Sequence, residues 1–213
     1  MKSLTTLFLS IVFISCSAQG IKRNFDEFSR KFLEINLPFH INDSLAFNNW
    51  NSKDLLLIDD IKEYDLVTKF ASKDYPLEIQ QFECSRVGKY RMENYTVILY
   101  KTYTTMAGRG NPVIILSIFT DSGEKKDEEM ALWDATWDPL YSQEVTLSIP
   151  NDSTFLIKSI VNQKGLLKGK IVPKRETERV FIYLITKDGI IEKLDETVRV
   201  LFEDNNPEIL DDF

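Results

Sequence analysis

The chain has 213 residues, of which 43% are apolar, 28% charged and 12% aromatic, proportions that exclude disorder, a collagen-like repeat and a multispan membrane protein. Its formal net charge of −7 sits wholly in residues 176–213, where eleven carboxylates stand against four bases; residues 1–175 balance. Duplex binding draws on clustered Lys and Arg, so this charge distribution argues against a nucleic-acid partner.

The first element in chain order is a leader. Lys2 precedes an apolar run from Leu4 to Ile14, and the small residues Ser15, Cys16, Ser17 and Ala18 follow. Eleven helical residues rise about 16 Å, short of a hydrocarbon core of about 30 Å. A basic start, a short apolar core and a small-residue exit predict a secretory signal. Two processing sites are open. Phe13-Ile14-Ser15-Cys16 resembles a bacterial lipobox, with Phe13 where leucine is usual; residues 1–15 would be removed and Cys16 lipidated. The other site lies after Ala18, removing residues 1–18. A cysteine directly behind the apolar core favours the first. Lipid chains contribute about 0.8 kcal/mol per buried methylene, so the membrane partner would be met through lipid on Cys16. Ser17 in place of aspartate favours the outer membrane, by resemblance to enteric lipoproteins. The expected address is the cell envelope, as an outer-membrane lipoprotein or in the periplasm. Either route leaves Cys84 without a disulfide partner, as a small buried hydrophobe.

Asn24 and Glu27 have capping-box spacing, and Phe25, Phe28 and Phe32 recur on one face, predicting a helix over 25–35. Pro38 stops it. Residues 37–41 read as a short extended segment closed by an Asn42-Asp43-Ser44 turn. Ile61, Tyr64, Val67 and Phe70 suggest a second short helix within 53–71. From about residue 82 the chain turns to β-branched and aromatic runs: 95–103, 113–119, 144–149, 154–160, 179–185 and, more loosely, 190–201. Compact turns at Glu93-Asn94, Asp121-Ser122-Gly123, Asn151-Asp152-Ser153 and Lys187-Asp188-Gly189 separate several of them, and such short links join antiparallel strands. The expected fold is mainly β (α+β): an antiparallel meander of about eight or nine strands forming a sandwich or partial barrel, behind one or two N-terminal helices. It spans residues 21–202 as a single domain with a helical part at 21–75. An acidic stretch, 203–213, with five acids and no base, reads as a solvated tail.

Few residues offer chemistry, and no catalytic, cofactor or metal site is expected. There is one histidine, His40, and no nucleophile elbow to serve it. Zinc would need three or four His or Cys ligands. Asp121-Ser122-Gly123 with Asp127, Glu128 and Glu129 lacks the alternating oxygen ligands of a calcium loop, and Gly108-Arg109-Gly110 lacks the rest of a phosphate loop. Two of the 33 acids could in principle hydrolyse a glycan, but the sequence singles out no pair. The segment from Trp133 to Pro139, with two indoles, Trp133 and Trp137, and two aspartates, suits sugar or peptide recognition. The same indoles could instead roof the end of the β-core. Arg109, in the loop 106–112, is a second candidate contact for a partner.

Leu37-Pro38-Phe39-x-Ile41 behind an amphipathic helix, Val87-Gly88-Lys89-Tyr90, a tyrosine-rich strand and Thr120-Asp121-x-Gly123 together resemble a group of uncharacterised small lipoproteins of Gram-negative bacteria, over about residues 25–125. The resemblance implies secretion and a helix followed by a meander, and carries no activity or site residues with it. The functional expectation is a lipid-anchored, non-enzymatic envelope protein that binds a protein or glycan; the alternative is a secreted carboxylate-dependent glycan hydrolase.

Overall fold

A computed structural model describes residues 24–47, 54–66, 83–103, 112–133 and 140–209. Cys16 and the predicted leader, Arg109 and Trp137 lie outside them, as do Val67 and Phe70 of the second predicted helix.

Asn24 caps the first helix, α1 (Phe25–Ser29), its side-chain oxygen accepting from the Asp26 amide at 3.0 Å. The helix ends at Ser29 rather than Ile35. Its continuation is taken by a neighbouring strand: the Lys89 amide donates to the Leu33 carbonyl at 2.8 Å, and the Ile35 amide donates to the Lys89 carbonyl at 2.7 Å. Residues 39–42 form strand β1 (Phe39–Asn42). The Asn-Asp-Ser cluster behind it opens a helix, α2 (Asp43–Phe47), in place of the expected turn. Asn42 Oδ1 accepts from the Leu45 amide at 2.9 Å, and the same side-chain chemistry serves an Asx turn or a helix cap. Helix α3 (Ile58–Glu63) lies within the second predicted helical stretch, with Ile61 and Tyr64 buried.

Two antiparallel sheets follow. Strands β2 (Ser85–Arg91), β3 (Tyr95–Tyr103), β4 (Pro112–Thr120) and β5 (Lys125–Trp133) form a four-stranded meander. Strands β6 (Tyr141–Asn151), β7 (Thr154–Leu167), β8 (Lys170–Ile185) and β9 (Ile191–Glu203) form the second sheet, in the order β1-β6-β7-β8-β9. The fold is therefore mainly β and sandwich-like, with no closed barrel. Each of the four predicted turns joins antiparallel neighbours. At one of them Gly123 has φ +82°, and a side chain there would start 2.9 Å from Phe25 Cβ, so the turn both bends the chain and seats α1.

Strand β5 is absent from the sequence expectation because its first half, Lys125 to Glu129, is charged. Those charges are structural. Glu128, 3% exposed, meets Lys125 at 2.9 Å, and Asp127 Oδ2 accepts from the Ile191 amide at 2.9 Å, tying one sheet to the other. Strands β7 and β8 also run longer than expected, through a hairpin at Lys168-Gly169. Pro173, which cannot donate to a ladder, sits at a register slip between Gln163 and Lys164.

Side chains of β3 and β4 alternate between two cores, which is why these strands read as near-continuous apolar runs. Val97, Leu99, Ile114, Leu116 and Ile118 face the second sheet, where Val145, Leu147, Ile149, Phe155 and Ile157 meet them. Ile98, Tyr100, Val113, Ile115 and Phe119 face the helices, against Phe25, Phe28, Phe32, Ile61 and Tyr64. The order of layers is α1 with α3, four-stranded sheet, five-stranded sheet, while α2 packs on the inter-sheet side through Ala46. The second sheet outgrows the first: β7 spans about 46 Å at about 3.3 Å per residue, and every residue of β9 after Ile191 is exposed. The acidic end of the chain stays attached as far as it is described, since the Asp204 amide donates to the Lys174 carbonyl at 2.8 Å and Ile209 is 5% exposed.

Candidate functional site

Where the second sheet projects past the first, strand alternation decides which side chains meet. On β7 the apolar Phe155 and Ile157 give way on the same face to Ser159, Val161 and Gln163. The register places Arg179 beside Ser159, Thr177 beside Val161 and Arg175 beside Gln163. From the other side β6 brings Tyr141 and Gln143, and Trp133 closes the end of β5. These residues line a cavity of about 390 Å³, in the range of about 300–1,000 Å³ usual for small-ligand sites.

The polar floor is organised. Gln143 Nε2 donates to Ser159 Oγ at 2.6 Å, and Tyr141 Oη donates to Gln143 Oε1 at 3.4 Å. Gln143 and Ser159 are buried, so the short bond between them fixes the amide at the base of the groove. At the rim, Arg175 Nε stands 3.8 Å from Glu203 Oε1, a loose and exposed pair worth about 0–1 kcal/mol. Arg179 is exposed and has no ion pair among the described residues. Phe181 carries the Lys193 ammonium 5.0 Å above its ring, next to the core. None of the described residues lining the cavity is a carboxylate.

No family model, curated protein or solved structure matches this chain.

Of the candidate contact residues, Trp133 is the one that the described structure contains, half-buried at the mouth of the cavity and packed on both cores. Its indole is thus both a roof on the β-core and a wall of the groove. Trp137 and Arg109 lie outside the described residues. Sequence reasoning missed Tyr141, Gln143, Arg175 and Arg179. One signal was present: residues 164–175 contain Lys164, Lys168, Lys170, Lys174 and Arg175 and no acid, a run that the neutral balance of residues 1–175 conceals.

Other chemistry-bearing groups lie elsewhere. His40 Nδ1 is 2.9 Å from Ser148 Oγ on an exposed position of the second sheet, and Ser148 sits in mid-strand. Among the described residues no carboxylate bonds to that ring, so the pair lacks the third member that orients a catalytic histidine. Cys84 is fully buried, and desolvation pushes its thiol up to about 12. A thiol so placed is a poor nucleophile. Among the described residues no three of His, Cys, Asp and Glu converge as metal ligands, and no described helix is long and apolar enough to cross a membrane.

Proposed function

We propose that this chain is a lipid-tethered protein of the cell envelope, held by Cys16, that binds a glycan in the groove beside Trp133 without chemical turnover. The observation that carries the reading is the lining itself: two aromatic rings, Trp133 and Tyr141, share it with amides and hydroxyls from Gln143, Ser159, Gln163 and Thr177. A sugar ring offers an apolar C–H face and a rim of hydroxyls, and these are the surfaces such a lining complements. A folded protein partner would ask for about 800 Å² of fitted surface, which a polar cleft of this size does not offer. Glycoside hydrolysis needs two carboxylates about 5–9.5 Å apart, and the described lining supplies neither.

Two experiments test the parts separately. Titrating the mature protein with neutral and acidic oligosaccharides while following tryptophan emission should show saturable quenching that Trp133→Ala abolishes with the fold intact. An unchanged response would remove the groove from consideration, and Tyr141→Ala, at a half-buried position of the lining, repeats the test should Trp133→Ala unfold. Labelling cells with a clickable fatty acid, with Cys16→Ser as control, should mark only the cysteine-containing chain; recovery of the polypeptide from cytosol with Met1 attached would refute the address.

A further inference from the structure

The wall that β8 gives to this groove is cationic in a chain that is acidic as a whole. Arg175, Thr177 and Arg179 alternate along one face, so the two guanidinium groups belong to the same wall with backbones about 13 Å apart. In the sheet register Arg179 lies between Ser159 and Val198, and neither neighbour can neutralise it. Beyond Arg175 the bases continue through Lys174 and Lys170 to the hairpin tip. At that tip Lys168 holds φ +52°, a left-handed conformation that Asn or Asp adopts at lower cost, and Gly169 follows at φ +76° in open space. Its contact with Glu208, at 3.9 Å between largely exposed side chains, is loose. The hairpin therefore keeps a lysine where local turn chemistry favours a neutral or acidic residue.

We infer that the ligand of the groove is an acidic glycan: a sugar ring lies on Trp133, a carboxylate of the chain pairs with Arg179, and the chain follows the bases of β8 toward Lys170. This rests on the groove being a glycan site. The planar fork of a guanidinium matches the two oxygens of a carboxylate, and Arg179, with no ion pair among the described residues, is available for it. An acidic peptide would meet the same arginines but usually gains its affinity from an open strand edge or from apolar side-chain pockets. Strands β6, β7 and β8 are paired on both sides; β9 is the open edge and lends the lining only Val198, and the buried polar part of the lining, Gln143 with Ser159, is amide and hydroxyl.

The test compares three probes on the full mature protein by calorimetry, at low and at physiological salt: hexagalacturonate, its methyl ester, and a glutamate hexapeptide. Hexagalacturonate should bind, and the ester should bind at least about tenfold more weakly, as for loss of a hydrogen bond to a charged group. Arg179→Gln should cost the acid about tenfold and leave the ester unchanged, with Arg179→Lys between. Lys158→Gln, on the opposite face of β7 and paired with Glu178, should change nothing, which separates a site from general charge attraction. The exposure of Arg179 leads us to expect unaltered melting temperatures in its variants. Equal binding of acid and ester would overturn the acidic ligand while leaving the glycan groove standing. Binding of the hexapeptide alone would overturn the ligand class. Failure of hexagalacturonate to bind overturns the inference, and the neutral sugars of the wider titration then decide the groove itself.

Discussion

Phe28→Ala tests the three-layer arrangement at its most concentrated point. The ring is 2% exposed and stacks on Tyr64, with centroids 4.0 Å apart and planes 17° from parallel. Phe32 meets it edge-on at 5.3 Å and Phe119 of β4 at 6.5 Å, so one side chain touches both helices and the sheet beneath. Truncating a buried Phe costs about 3–5 kcal/mol, the transfer of the ring plus the hole it leaves. Helices of five and six residues have little stability of their own, so α1 and α3 hold their places through these rings. We expect a loss of about 4 kcal/mol, and with about 2–4 °C per kcal/mol for a chain of this size, a melting temperature lower by roughly 8–16 °C. Phe28→Leu keeps most of the volume and gives up the stack, at about 1 kcal/mol. Urea titration followed by circular dichroism measures both, with the midpoint falling and the slope unchanged. Leu33→Ala is the control, since Leu33 is 80% exposed and should stay within about 0.5 kcal/mol of the parent. A Phe28→Ala loss below about 1 kcal/mol would refute the reasoning, because α1 would then not cover the sheet.

Further outcomes follow from single sites. Gly123→Ala should destabilise by about 1–3 kcal/mol, since φ is positive and the new methyl meets Phe25; an unchanged melting temperature would contradict the seating of α1 on that turn. Lys168→Asn should stabilise by a few tenths to about 1 kcal/mol, because asparagine adopts the left-handed turn more readily; a lower melting temperature would count against a strained lysine. Ser159→Ala should cost about 1–3 kcal/mol by leaving the buried Gln143 amide unpaired, and a double-mutant cycle with Gln143→Ala would isolate that coupling. Burial raises the Cys84 thiol from 9.0 to about 12 and raises Tyr90 and Tyr100 as well. The native state then keeps protons that the unfolded chain releases, so stability is full below about pH 9 and declines as pH climbs toward 12. Urea midpoints that stay flat across that interval, or rapid labelling of native Cys84 by a thiol reagent at mild pH, would show the site to be open.

Much of the fold was legible because its signals are local. The turns at residues 93–94, 121–123, 151–153 and 187–189 announce themselves through Asn, Asp and Gly, whose own backbone preferences make the bend. Strands β3 and β4 are legible as apolar runs because both of their faces are covered. Strand β5 was not, since Lys125 to Glu129 look like a surface loop until Glu128 finds Lys125 and Asp127 finds the β9 backbone. The end of α1 was misplaced for a related reason: Leu33 and Ile35 make their backbone bonds to Lys89, far along the chain. Trp133 stood out as a candidate; its neighbours in the groove did not.

Composition, spacing and turn chemistry were therefore enough to establish a mainly β protein, its early aromatic helix and the antiparallel order of its strands. Tertiary structure alone decided that Trp133, Gln143, Ser159 and Arg179 share one cavity, and that Arg175 and Arg179, from either side of the boundary between the balanced and the acidic sequence, stand on one wall. A bend depends on the φ and ψ preferences of the few residues inside it. A groove depends on register between separate strands, and that register is set by burial summed over whole sheet faces, which no single segment contains.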